Sequence, residues 1–309
     1  MNATHHHVFG CMPVRKRIRA ELPSAALKDM LNGVNLAESA PRFDRHQPVL
    51  AVIPARLGAT RLPRKPLRNL AGKPLIVRVY ERVLALNVAT AIVVATDDIE
   101  VLETCRNHNV PAHLTDTGHP SGTDRVAEVG RHPDFAGFDI ILNVQGDEPF
   151  MLREAALGAV AIVQQRLADV GTSAVRSGIP VLRMPDVVKV VTDCDGRALY
   201  FSRAPIPFLR DNVDEPLLHE LVRQHIGVYA YRRDALLRWV SLPPHPLELV
   251  ERLEQLRPLA HGISIGVHVV GEIPERGIDT EDDLVRANAH FAVMDQTDTS
   301  RFPSIETDD

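Results

Sequence analysis

Cysteine is scarce in this chain: Cys11, Cys105 and Cys194 are the three among 309 residues, far apart and without a CxxC spacing. That disfavours a disulfide framework and a structural zinc site, and it points to a reducing compartment, the cytoplasm. An excess of positive charge is also missing. The formal net charge is −5, whereas bulk nucleic-acid binding calls for a basic footprint. No apolar run approaches the roughly 20 residues of a membrane span, and the stretch 8–14 is too short for the apolar part of a signal peptide. There is no GxSxG elbow and no cysteine in a convincing basic context, so nothing marks a covalent nucleophile. No internal repeat is visible. What remains, with 45% hydrophobic and 24% charged residues, is an ordinary globular composition, sufficient for one large domain or one with a smaller companion.

Cations are concentrated near residue 50. From Val49 onward, Arg56, Arg61, Arg64, Lys65, Arg68, Lys73 and Arg78 all precede the first acid, Glu81. Residues 49–53 read as a buried parallel strand, and Pro74 suits the first position of a helix with Leu75, Ile76, Val79 and Val83 on its apolar face. The basic loop therefore leaves the carboxyl end of a strand, where open α/β sheets bind ligands, and its charge suits a small polyphosphate.

Strand and helix alternate beyond it. Residues 91–95 read as a strand ending in Thr96, Asp97 and Asp98, which can cap a helix bearing Ile99, Leu102 and Cys105. Residues 139–144 read as another, followed by a helix over 153–167. From about 181 the pattern turns to a hairpin around Asp195 and Gly196, and strands follow at 226–231 and 264–270, with helical stretches around Leu236 and Leu253 between them. The fold class is α/β, a mainly parallel Rossmann-like sheet with a smaller antiparallel β element. Residues 1–48, which include His5, His6 and His7, read as a poorly ordered extension or as lying before a later start at Met30, and 293–309 as a polar tail. Asp147, just past a strand, suits a hard cation beside a phosphate. Magnesium takes only one or two protein carboxylates, so Asp279 is the candidate second ligand, against the plainer role of a helix cap.

Nine motifs then stand in one order: IPARLGATRLPRKPL, AGKPLIVRV, HPSGTDR, VQGDEP, VVKVV, ALYFSRAPIP, HIGVYAYR, PLELVERLEQLR and GIDTEDDL. Together they resemble the 3-deoxy-manno-octulosonate cytidylyltransferase (CMP-Kdo synthetase) family over residues 49 to about 291. The resemblance implies a nucleotide-diphospho-sugar transferase-like fold over 49–292, usually a homodimer, with a dimerisation element at about 181–240. It also implies formation of CMP-Kdo and pyrophosphate from CTP and Kdo with Mg2+, for lipopolysaccharide biosynthesis.

Residue by residue, the resemblance makes Arg56, Arg61 and Lys65 triphosphate ligands, with the backbone of Pro54 and Ala55 near the cytosine. Gln145 lies between nucleotide and sugar, and Asp147 and Asp279 become the magnesium carboxylates, with Lys65 beside them in catalysis. The carboxylate of Kdo calls for a guanidinium, which grips it with two parallel bonds; Arg203 and Arg125 fit. His225, Tyr229, Glu254 and Gln255 fall at the sugar hydroxyls. Two positions depart from the family pattern: Arg64 replaces a common Gly, and Ala59 replaces a common Ser. An amino-substituted Kdo or sialic acid-like acceptor and a non-catalytic sugar-nucleotide sensor are the alternatives.

Overall fold

A computed structural model describes residues 43–58, 61–209 and 215–299; residues 1–42, Ala59 and the end of the expected tail lie outside them. The run Val49–Ala55 (β1) has no polar side chain, so it is stable only with both faces covered. It lies inside the sheet. A two-stranded ribbon, Asn69–Leu70 (β2) and Lys73–Pro74 (β3), follows the basic loop. Pro74 is thus the last residue of that ribbon rather than the first of the helix, because its backbone is extended, with ψ 143°. The helix Leu75–Leu86 (α1) buries Leu75, Ile76, Val79 and Val83 as their spacing predicts. Asp98 caps the next helix by accepting from the backbone N–H groups of Glu100 and Val101.

In chain order the remaining elements are Ala91–Thr96 (β4), Ile99–Asn107 (α2), Ala112–Leu114 (β5), Gly122–Arg131 (α3), Ile140–Asn143 (β6), Arg153–Gln164 (α4), Val170–Arg176 (β7) and Ile179–Leu182 (α5). Then come Lys189–Thr192 (β8), Ala198–Ser202 (β9), Glu215–Leu221 (α6), Arg223–Arg232 (β10), Arg233–Ser241 (α7), Pro246–Glu251 (α8), Leu256–Ala260 (α9), Ile265–Val270 (β11) and Glu281–Thr299 (α10). The main sheet runs β11-β7-β10-β6-β1-β4-β5. Pairings of β1 with β4 and β6, of β4 with β5, and of β7 with β11 are parallel. Strand β10 is antiparallel to both neighbours, and the β8–β9 hairpin joins its first residues. The sheet is therefore mainly parallel with a small antiparallel element, as the sequence implies.

Apolar faces cover both sides. Leu75, Val79, Val160 and Leu284 pack on one face of the sheet, and Val126, Val129, Leu236 and Trp239 on the other. Strand β7 escapes hydropathy reading because Gly171, Thr172 and Ser173 interrupt it. Each is accommodated by backbone. Thr172 Oγ1 donates to the Val228 carbonyl at 2.7 Å and Ser173 Oγ to that of Ala155 at 2.7 Å, and a Cβ at Gly171 would collide with the Ala159 carbonyl oxygen. Packing also begins ahead of residue 49: Phe43 lies against the core, and Asp44 exchanges two hydrogen bonds with Gln164.

From β1 the chain moves outward to β4 on one side and later to β6 on the other. That reversal opens a crevice beyond the carboxyl ends of β1 and β6.

Candidate active site

The crevice holds two adjoining cavities. The first, of about 430 Å³, is lined by Pro54, Ala55, Arg56, Arg61 and Lys65 from the loop after β1, and by Gln145, Asp147 and Asp279. The second, of about 370 Å³, is lined by Arg203, His225, Tyr229 and Gln255. Gly122, Gln145 and Glu254 border both. Gly146 keeps the two loops close, since a Cβ there would lie 2.6 Å from the Pro54 carbonyl oxygen.

Charge is organised around Lys65. Its ammonium lies 2.6 Å from Asp147 Oδ2 and 2.9 Å from Asp279 Oδ1, and Arg61 Nη2 lies 3.0 Å from Asp279 Oδ2. Burial alone would lower the pKa of Lys65, but the charges and hydrogen bonds of Asp147 and Asp279 outweigh it and the net shift is upward. Asp279 is free for this because another pair caps α10. Thr280 Oγ1 accepts from the Asp283 N–H, and Asp283 Oδ2 accepts from the N–H groups of Asp279 and Thr280.

Two carboxylates converging on one cation form a hard-oxygen donor set that fits Mg2+, which completes its shell with water and phosphate oxygens. Among the described residues no group of three or more His, Cys, Asp or Glu gathers as a cage. Glu148, missed in the sequence, stands beside the pair. Burial first, then the charges of Asp147 and Asp279, pushes its carboxyl up to about 8.

The basic loop keeps a backbone suited to glycine. Arg64 has φ 57°, a left-handed conformation that costs a residue with a Cβ about 1 kcal/mol, and its guanidinium reaches outward to Glu100. The effect of Ala59 lies outside the described residues.

Arg125 borders the first cavity and not the second. It is 3% exposed and gives its guanidinium to Asp97 Oδ2 at 2.8 Å and to Thr115. Arg203, by contrast, has no carboxylate within ion-pair distance among the described residues. Thr123 Oγ1 donates to Glu254 Oε2 at 2.8 Å. His119 and Ser121 line the first cavity, and Thr123, Trp239 and Arg252 the second; Ser121, capping α3, was legible as a serine ahead of a helix.

His225 packs between Phe201 and Tyr229. The Thr172 hydroxyl spends its proton on Val228, so it accepts from His225 Nε2–H at 2.9 Å and leaves Nδ1 as an acceptor. Burial holds the imidazole down to about 3. Unfolded, it takes a proton near 6.5. The unfolded state therefore binds more protons between those values, and stability falls as pH drops from about 6.5 towards about 3, by up to about 1.4 kcal/mol per unit. Urea unfolding across this window should show a shallower slope for His225→Gln; an unchanged slope would place the ring in solvent.

A cytidylyltransferase family model matches residues 50–265. The 3-deoxy-manno-octulosonate cytidylyltransferase of Gemmatimonas aurantiaca is 64% identical over 257 residues, 83% of this chain and 99% of its own. That of Methylococcus capsulatus is 47% identical, over 78% of this chain and 96% of its own. The structure of CMP:2-keto-3-deoxy-manno-octonic acid synthetase complexed with CTP has a TM-score of 0.74 at 36% identity, covering 80% of this chain and all, 100%, of that one. A glucose-1-phosphate thymidylyltransferase structure from Bacillus anthracis, TM-score 0.54 at 15% identity, shares the fold. With the two-cavity crevice, the paired carboxylates and these relatives together, the chain belongs to the 3-deoxy-manno-octulosonate cytidylyltransferase family.

Proposed function

We propose that this chain activates Kdo with CTP, giving CMP-Kdo and pyrophosphate. The observation that carries the reading is the pair of cavities sharing Gln145 and Glu254, one ringed by cations and the other by hydroxyl-binding groups with an acid-free guanidinium at its rim. In the reaction the anomeric hydroxyl oxygen bonds to the α-phosphorus, the bond from that phosphorus to the bridging oxygen breaks, and pyrophosphate leaves with the electron pair as the hydroxyl proton is released. The protein's work is to position and to neutralise charge.

Arg56, Arg61 and Lys65 receive the triphosphate, and the backbone at Pro54 and Ala55 approaches the base. Gln145 stands at the junction of the two substrates. Arg203 holds the sugar carboxylate; His225 Nδ1, Tyr229, Glu254 and Gln255 meet its hydroxyls. We reassign Arg125 to holding α3 against Asp97. Asp147 and Asp279 would hold Mg2+, which when bound neutralises phosphate charge as the leaving group departs.

The same reading takes the protein as a cytoplasmic homodimer joined through the 181–240 element. Leu199 and Phe208, 60% and 82% exposed, support a second copy covering that surface. No helix among the described residues is long and apolar enough to cross a membrane.

Pyrophosphate release from CTP and Kdo, with magnesium present and then chelated, beside UTP, ATP and N-acetylneuraminate, tests the assignment. Release confined to CTP, Kdo and metal supports it. Release only with another sugar acid moves the acceptor, and silence throughout favours a sensor. Arg203→Lys should raise KM for Kdo roughly tenfold with KM for CTP unchanged, because a point charge cannot replace the fork; equal weakening of both substrates would misplace the sugar pocket.

A further inference from the structure

Lys189 is 0% exposed, more deeply buried than any other charged side chain among the described residues. Nothing in the reaction above uses it. A buried ammonium is costly unless its donors are matched, and here all three are. Its nitrogen lies 3.0 Å from the Met184 carbonyl, 2.7 Å from that of Val187 and 2.5 Å from that of Arg203. These acceptors share one place. Met184 and Val187 bracket the loop entering β8, whose Val188 lines the second cavity, and Arg203 directly follows β9. Register brings them together, since Lys189 pairs with Ser202 across the hairpin.

Arg203 is held at further points by the same surroundings. Its backbone N–H donates to Glu251 Oε2 at 2.9 Å, Nε to the Glu251 carbonyl at 3.0 Å, and Nη1 to the Pro185 carbonyl at 3.2 Å. Pro185 belongs to the loop that Lys189 ties down, and the other Glu251 oxygen accepts from Ser202 Oγ at 2.6 Å. Two of the five guanidinium hydrogens are thereby spent on carbonyls that fix its plane, and Nη2 is left for an incoming anion.

We propose that Lys189 is a positioning residue which, with Glu251, aims Arg203 at the carboxylate of the sugar acid; this deepens the functional reading above and rests on it. A neutral side chain at 189 would leave three carbonyls unmatched, freeing both the loop and the Arg203 backbone. An arginine could not substitute, because its planar fork does not present three hydrogens from one atom.

The test is steady-state kinetics of Lys189→Met and Glu251→Gln with CTP and Kdo, and with the methyl ester of Kdo in place of the acid. Both variants should raise KM for Kdo roughly tenfold or more, with kcat at saturating sugar and KM for CTP within about threefold. The preference for acid over ester should shrink by the same factor, and Lys189→Met should add little in an Arg203→Ala background. A merely structural lysine predicts otherwise: equal losses for acid and ester, parallel losses for CTP and Kdo, or additivity with Arg203→Ala, and any of these overturns the inference. Should thermal unfolding show that Lys189→Met does not fold, Glu251→Gln carries the test alone. Wild-type protein silent with every sugar acid would overturn the functional reading as well, whereas active wild type with variants that lose acid and ester alike overturns this inference only.

Discussion

Asp147→Asn should lower kcat roughly 100- to 1000-fold while CTP affinity changes less than about tenfold. The substitution keeps the side chain's shape and one acceptor but removes its charge. In the crevice that charge holds Lys65 at 2.6 Å, and Lys65 in turn bridges to Asp279 at 2.9 Å. Losing one anchor leaves the ammonium off centre and takes away half of the donor pair suited to Mg2+. In the proposed function ground-state binding of CTP is spread over Arg56, Arg61 and the loop backbone, so it should survive. Charge on the departing pyrophosphate develops only in the transition state, and interactions made only there appear in kcat. Asp279→Asn should act in the same direction. Single-turnover rates and equilibrium binding of CTP decide the matter. A fall in CTP affinity with turnover intact would remove Asp147 from the chemistry.

Legibility in the sequence followed the range of the interactions. The basic loop was legible because no acid interrupts its cations and they follow a run, Val49–Ala55, that only a buried strand accommodates. That Lys65, Asp147 and Asp279 form one site followed from the family resemblance, but nothing local in the sequence showed the lysine bridging both acids at 2.6 and 2.9 Å. Asp279 in particular was indistinguishable from a helix cap until Thr280 and Asp283 were seen to cap α10 between them. The reassignment proposed for Arg125 has a physical reason. Its partner Asp97 lies 28 residues away, just past the end of β4, and no local pattern separates a guanidinium that awaits a substrate from one already paired. Strand β7 was invisible because its polar side chains bond backbone across elements rather than solvent. Arg64 shows the converse: the left-handed turn of a glycine position persists at φ 57° with a bulkier residue.

Arg257→Leu should cost about 3–5 kcal/mol, a fall in Tm of about 10 °C for a domain of this size. Its Nε donates to Glu248 Oε2 at 2.8 Å and Nη2 to Glu248 Oε1 at 2.5 Å, and the two side chains are only 10% and 9% exposed. Burial pushes the Glu248 carboxyl up, yet the hydrogen bonds and charge of Arg257 and the His245 N–H carry it below its usual range. With Arg257 gone only the burial penalty and the single His245 bond remain, so Glu248 must take up a proton or drag α8 towards water. A carboxylate held low contributes stability above its unfolded pKa and loses it as pH falls through the folded value. The single variant should therefore lie further below wild type at neutral pH than near pH about 4. Pairing it with Glu248→Leu should restore most of the loss by removing the orphan charge; no recovery would mean that the defect is packing alone. The turn between α8 and α9 carries Arg252, Glu254 and Gln255 into the second cavity, so the single variant should raise KM for the sugar before it touches KM for CTP.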